Sequence, residues 1–284
     1  MPFIERRITT QDGLSLYLRD YHSNGEDLPV VCLHGLTRNS KDFETVAPWL
    51  ASLGRRAITI DARGRGLSDN DPDPARYRPD VYVGDTLTAL DALGVARAIF
   101  LGTSMGGIMT MIAATVAASR ITAAILNDIG PEIDPRGFVR IAGYVGKSGP
   151  FDGWSELISA VKAAQGSLFP GKDDAFWNTF AQRVGRERNG KVEFAYDPAI
   201  ARAFAPRGLE PPPSMTPLFE ALAAKPVLVL RGALSDLLSA HGVAEMKRIK
   251  PDLEFAEIPA VGHAPTLDEP EARRAVEKFL ARIE

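Results

Sequence analysis

The chain has 284 residues, 45% of them hydrophobic and 24% charged, with a formal net charge of −3. That length buries a sizeable core without disulfide or metal staples and suits one large α/β domain carrying an insertion. A mildly negative balance with no basic block excludes a nucleic-acid surface.

The opening "IERRITTQDGLSLYLRDY" alternates polar and apolar residues around "QDG" and reads as an antiparallel edge hairpin. No apolar core long enough for a signal peptide precedes it. The run "PVVCLHG" (29–35) is the first near-continuous apolar strand, and "RRAITIDARG" (55–64), "ARAIFLGTS" (96–104), "ITAAILNDIG" (121–130) and "KPVLVLRG" (225–232) repeat the pattern. Strands of this kind belong in a parallel sheet covered on both faces. Between them, "DVYVGDTLTALDALG" and "GGIMTMIAATVAAS" have helical spacing, so right-handed crossovers and a mostly parallel, doubly wound sheet are predicted. Cys32, the single cysteine, sits inside a strand as a core thiol, which leaves no disulfide framework and no cysteine-based metal site. The most apolar segment, 106–126, is broken by Ser119–Arg120 and falls short of a membrane span. A cytoplasmic protein is expected, and the sequence does not fix its oligomeric state.

The alternation of strand and helix stops between about Pro131 and Ala221. The stretches "DPRGFVRIAGYVGKSGPFDGWSELISAVKAAQ", "KDDAFWNTFAQRV" and "DPAIARAF" read as helical, with no clear strand, and "PRGLEPPPSM" as a proline-rich connector. An insertion of that size in a sheet protein is a lid or a binding element. The expected organisation is a core of residues 1–133 and 222–284 with a helical cap at 134–221. Aromatic residues of this insertion, Trp154, Trp177, Phe138, Phe151, Phe169, Phe176 and Phe180, are expected mainly to pack the cap, with some facing a pocket. The closing "EPEARRAVEKFLARIE" reads as an amphipathic helix on the sheet.

One strand-to-helix junction carries chemistry. In "GTSMGG" (102–107), Gly102 and Gly106 flank Ser104 at two-residue spacing after a strand and before a helix. Glycine is common enough that G-x-S-x-G arises by chance in roughly one chain in ten of this length, so the context carries the signal. At such a junction the turn holds the hydroxyl out from the backbone, and the helix N-terminus offers amides to a developing negative charge. A serine hydroxyl needs a base, and the chain has four histidines. His22 reads as a surface residue, His241 as a cap or surface residue, and His34, beside Gly35 at a strand end, as loop architecture. His263, in the Gly-His loop of "IPAVGHAPTLDEP" after the strand-like "LEFAEIP", is the candidate base. The base needs a carboxylate to fix its tautomer. Asp236 in "VLVLRGALSD" is preferred, with Asp128 in "ILNDIG" as the alternative; Asp61 reads as a loop-fixing residue. The order Ser104, Asp236, His263 is the one used on one large class of α/β scaffolds.

At these residues the chain resembles the α/β-hydrolase fold superfamily. "CLHGLTRNS", "DARGRGLSD", "GTSMGG", "RGALSD" and "GHAPTLDEP" occur in the family's order and on its elements, over nearly the whole chain outside the insertion, which falls where the family places its helical cap. The resemblance implies Ser104 as nucleophile, His263 as base, Asp236 as acid, and the backbone amides of Leu36 and Met105 as the oxyanion hole. Serine at the elbow separates the chain from haloalkane dehalogenases and epoxide hydrolases, which use aspartate there. The activity implied is hydrolysis, without metal or cofactor, of a small-molecule carboxylic ester, lactone or thioester through an acyl-enzyme. The alternatives are carbon–carbon bond hydrolysis of a diketone by the same triad and a ligand-binding receptor on the same scaffold.

Overall fold

Strand residues sort themselves into two apolar layers with the period of two that a sheet imposes. In the computed structural model, which describes residues 2–147, 149–204 and 213–284 with the side chains of 203 and 204 aside, eight strands form one sheet. They are β1 (Ile4–Thr9), β2 (Ser15–Tyr21), β3 (Asp27–Leu33), β4 (Arg55–Ile60), β5 (Ala98–Thr103), β6 (Ile121–Asn127), β9 (Val227–Gly232) and β10 (Glu254–Ile258), in the order β1-β2-β4-β3-β5-β6-β9-β10. The N-terminal pair is the expected hairpin, with Ile4 opposite Asp20, and β2 runs antiparallel to β4. Every pairing from β4 to β10 is parallel. Val31, Leu33, Ile58, Phe100, Leu126 and Val229 enter one apolar layer, and Val30, Cys32, Ile99, Leu101, Ile125 and Leu230 enter the other.

Helices cover both layers. α2 (Pro79–Ala92), α3 (Met105–Val116), α8 (Thr216–Glu220) and α9 (Ala240–Ile249) pack on the first, while α1 (Val46–Ser52) and α10 (Pro270–Leu280) pack on the second. From β3 the chain moves to β4 on one side, and it later returns through β5 on the other side of β3. The carboxyl ends of β3 and β5 therefore flank the point where strand order reverses, the place where open α/β sheets bind ligands. Gly35, Leu36 and Ser104 follow those two ends.

Between β6 and β9 the chain forms α4 (Pro135–Tyr144), α5 (Trp154–Gln165), α6 (Asp174–Val184) and α7 (Ile200–Phe204), as the helical periodicity predicts. Most of the predicted connector at 206–215 lies outside the described residues. One expectation is corrected: a two-stranded antiparallel hairpin, β7 (Gly185–Arg188) and β8 (Lys191–Phe194), interrupts the helices. Its turn is Asn189–Gly190, both at positive φ (52° and 73°), the dipeptide that favours a two-residue hairpin turn. The charged residues in "GRERNGKVEF" hide the alternation by which a strand is usually read. The inserted segment contributes to both apolar layers, Ile141 and Tyr196 to one and Leu157, Phe169 and Trp177 to the other. Among the described residues no helix is long and apolar enough to cross a membrane.

The junction of β5 and α3 depends on the missing side chains of two glycines. A Cβ on Gly102 would stand 2.3 Å from the carbonyl carbon and oxygen of Gly106, and one on Gly106 would stand 2.1 Å from the Leu33 carbonyl oxygen. The opposing atoms are main chain, so no rotamer change relieves the overlap. Gly102→Ala is expected to lower the unfolding free energy by about 3 kcal/mol or more, read from urea denaturation; an unchanged midpoint would show that strand and helix can move apart without cost.

Candidate active site

Ser104 occupies the turn between the last residue of β5 and the first of α3, with φ 52° and ψ −115°. A serine held there stores about 1–3 kcal/mol of backbone strain, which persists only where the surroundings enforce it. They do so here through the main chain. The Ser104 amide donates to the Asn127 carbonyl at 3.0 Å, and the Ser104 carbonyl accepts from the amides of Gly107 (2.8 Å) and Ile108 (3.2 Å). The hydroxyl is left to face His263, whose Nε2 lies 2.9 Å from Oγ.

The other ring nitrogen of His263 meets Asp128, not Asp236. Nδ1 lies 2.8 Å from Asp128 Oδ2, so Ser104, His263 and Asp128 form one hydrogen-bonded chain. Asp128 is fully buried one residue past the end of β6, the strand beside β5, and its φ of 58° turns its side chain at that point. Its carboxylate is held from several directions: Oδ1 accepts from the Gly232 amide at 2.8 Å, and Oδ2 accepts from the Ser235 hydroxyl at 2.6 Å. The Asn127 side chain ties the histidine loop to β5, donating to the Pro265 carbonyl (2.9 Å) and to Thr103 Oγ1 (3.0 Å).

Asp236 stands four residues past the end of β9, and its carboxylate turns to Arg140 of α4, with Nε–Oδ2 at 2.6 Å and Nη2–Oδ1 at 2.9 Å. The expected contact with His263 is thereby corrected. Burial pushes the Asp236 carboxyl up, but the hydrogen bond and charge of Arg140 outweigh it and hold the group below the ordinary carboxylate range. The Gly137 amide also donates to the Asp236 carbonyl at 2.9 Å, so the residue fastens α4 to the β9–α9 loop. Asp61 lies where its loop-fixing reading puts it, accepting from the amides of Ser40 (2.6 Å) and Leu67 (2.8 Å).

The loop after β3 runs directly beside the serine. A Cβ on Gly35 would sit 3.7 Å from Ser104 Cβ. Among the described residues, neither the Leu36 amide nor the Met105 amide donates to a protein acceptor. His34 holds the peptide that carries the Leu36 amide. Its Nε2 accepts from the Ala62 amide at 3.0 Å, which fixes the proton on Nδ1, and Nδ1 donates to the Gly35 carbonyl at 2.7 Å. Burial, aided by the nearby charge of Arg65 and opposed by Asp61, pushes this imidazole below its ordinary range and keeps it neutral.

A family model described as the alpha/beta hydrolase fold matches residues 29–270. The chain belongs to the alpha/beta hydrolase fold family. It is similar to a 3-hydroxybutyrate-oligomer hydrolase of Cupriavidus necator, 34% identical over 266 residues and covering 90% of each chain. It is also similar to a 2-(acetamidomethylene)succinate hydrolase of Mesorhizobium japonicum, 27% identical over 92% of this chain and 89% of that one. Among solved structures, an alpha/beta hydrolase of Novosphingobium aromaticivorans superposes with a TM-score of 0.93 at 43% identity, covering the whole of both chains. The protein is an enzyme, a hydrolase.

In this hydrolase Ser104 and His263 open into a cavity of about 130 Å³ whose wall is mostly apolar. The sheet side supplies Gly35, Leu36 and Thr103, and the inserted segment supplies Ile141, Val161, Phe169 and Phe180. Of the seven aromatic residues expected to pack this segment, Phe169 and Phe180 reach the cavity. Phe176 and Trp177 pack edge-on at 5.1 Å and also stack around Phe169 and Phe180. Phe194, on the hairpin the sequence conceals, joins the lining. Arg38 lies 4.1 Å over the Phe180 ring and is clamped by both oxygens of Asp42. Among the described residues no group of three or more His, Cys, Asp or Glu side chains is arranged to hold a metal ion.

Proposed function

We propose that this hydrolase is a serine esterase that cleaves a small carboxylic ester through an acyl-enzyme, with Asp128 as the acid of the triad. The observation that carries the reading is the unbroken chain from Asp128 through His263 to the Ser104 hydroxyl at the floor of an apolar cavity. His263 Nε2 takes the hydroxyl proton as Oγ attacks the ester carbonyl, and Asp128 stabilises the imidazolium that forms. The carbonyl oxygen gains negative charge beside the Leu36 and Met105 amides, which lack protein acceptors among the described residues. The imidazolium returns its proton to the departing alkoxide, and the alcohol leaves. A water then attacks the acyl-serine by the same route, releasing the acid and restoring the hydroxyl. Residues 134–221 act as the cap that excludes bulk water from this step.

The relative from Cupriavidus necator is named for an oligomer of a hydroxy acid, and hydroxy acids join to one another through ester bonds. A short hydroxy-acid oligoester is therefore the substrate class we assign. The test presents the purified protein with p-nitrophenyl acetate and butyrate, with linear dimers and trimers of 3-hydroxybutyrate, and with a vinylogous diketone. Turnover of esters and oligomers is expected, with a fluorophosphonate label on Ser104. Cleavage of the diketone with no ester turned over would overturn the reading in favour of carbon–carbon hydrolysis.

A further inference from the structure

Two arginines in "DARGRG" are buried, and only one of them is neutralised. Arg63 gathers the carboxylates of Asp12, Asp71 and Asp85. Arg65 is 0% exposed, yet among the described residues no carboxylate lies within salt-bridge distance of it. Taking a guanidinium out of water without a counter-charge is costly, and a neutral side chain would fill the same space. The loop nevertheless drives it inward: Gly64 has φ 74°, and a Cβ there would stand 2.6 Å from the Tyr77 ring that packs beside Arg65.

The groups that receive Arg65 form a pattern. Nε donates to the Leu36 carbonyl at 3.0 Å, one terminal nitrogen donates to the Arg63 carbonyl at 2.8 Å, and the other meets Met105 Sδ at 3.7 Å. The guanidinium carbon lies 4.6 Å from the centre of the Tyr82 ring and 5.6 Å from that of Tyr77, so π-faces rather than carboxylates surround the charge. Leu36 and Met105 are the two residues whose amides the proposed mechanism sets against the ester carbonyl oxygen. His34, on which the charge of Arg65 acts, is held neutral by burial. We propose that Arg65 is a positioning residue for the oxyanion hole: it fixes the Leu36 and Met105 segments and places a permanent positive charge, in salt-bridge contact with no carboxylate among the described residues, behind the oxygen that becomes negative. The proposal rests on the serine-esterase reading. A fixed charge in a water-excluded site acts most strongly where charge develops in the transition state, so its effect falls on kcat rather than on substrate binding.

The test compares Arg65→Met, which keeps length and removes charge, with Arg65→Gln, a shorter neutral donor, and Arg65→Lys, which keeps the charge. Each is assayed on p-nitrophenyl butyrate and titrated with an alkyl trifluoromethyl ketone, which forms a charged tetrahedral adduct on the serine. The expected result for Arg65→Met is a kcat lowered about 100-fold, the lower end of the loss seen when a direct oxyanion donor is removed, with KM changed less than about threefold. Affinity for the ketone falls by a similar factor, and Arg65→Lys recovers at least a tenth of the unaltered kcat. Unaltered kcat and ketone affinity in Arg65→Met would overturn the proposal, as would a loss of kcat with ketone affinity retained. Should Arg65→Met fail to fold, Arg65→Gln is read by the same measures, and failure of both neutral variants to fold assigns Arg65 a structural role only and overturns the proposal. A parent enzyme that neither turns over esters nor binds the ketone overturns the esterase reading, and this proposal with it.

Discussion

Asp128→Asn is expected to lower kcat on a good ester substrate by about 10,000-fold, the loss that the same exchange causes in other Ser-His-Asp enzymes, whereas Asp236→Asn is expected to lower it less than about tenfold. The contrast follows from what each carboxylate touches. Asp128 accepts the His263 Nδ1 proton at 2.8 Å, leaving Nε2 unprotonated and able to receive the proton of Ser104. An asparagine amide at 128 can turn its NH₂ toward Nδ1, which moves the ring proton to Nε2 and leaves the serine without a base. The Gly232 amide donates to Oδ1 and so favours the orientation that keeps the amide oxygen there, which leaves the NH₂ at the Oδ2 position that faces His263 Nδ1. KM should change little, because the substituted atom is fully buried. Asp236→Asn removes the charge paired with Arg140 and so acts on the attachment of α4. It is expected to lower Tm rather than kcat. The measurement is kcat for both variants, with circular dichroism to establish folding. Full activity in Asp128→Asn with a large loss in Asp236→Asn would restore the order Ser104, Asp236, His263.

Why the sequence prefers an aspartate that His263 does not meet is itself physical. Asp128 and Asp236 both follow buried strands that run parallel in the sheet, β6 and β9, and both precede His263, so strand order and chain order accept either. The choice depends on two things that no local pattern carries. One is the positive φ at Asp128, which turns its carboxylate toward the histidine loop. The other is Arg140, which comes from the inserted segment 96 residues earlier and occupies Asp236. The sheet, by contrast, is legible because apolar runs bounded by Gly, Asp and Ser are a local consequence of burial on both faces. Ser104 is legible because the close approach of β5 and α3 admits no Cβ at Gly102 or Gly106. No sequence pattern marks Arg65, since burial of an arginine without a salt bridge leaves no trace in composition. The hairpin at 185–194 does leave a mark, Asn189–Gly190, and it is obscured only by the charges around it.

Ser104→Ala is expected to remove ester hydrolysis almost completely, with kcat reduced about a million-fold, as for loss of the nucleophile in another serine hydrolase, and with no fluorophosphonate labelling. The fold should survive. The strained main chain at 104 is held by the Asn127 carbonyl and the amides of Gly107 and Ile108, none of which involves the hydroxyl, and alanine at φ 52° is no more strained than serine. KM, where measurable, should stay near its starting value because the apolar wall of the cavity is untouched. The residue that could confound this result is Ser235, whose hydroxyl lies 2.6 Å from Asp128 Oδ2. That hydroxyl is fully engaged: it donates to Asp128 and accepts from the Leu237 and Leu238 amides at 3.2 and 3.1 Å. Its proton already points at a carboxylate and its lone pairs are taken, so it cannot serve as a replacement nucleophile. Ser104→Ala retaining more than about one part in a hundred of the activity would therefore mean that water, activated by His263 directly, carries the reaction. In that case no acyl-enzyme forms, and rapid mixing with p-nitrophenyl butyrate would show no burst of nitrophenol in the unaltered enzyme either.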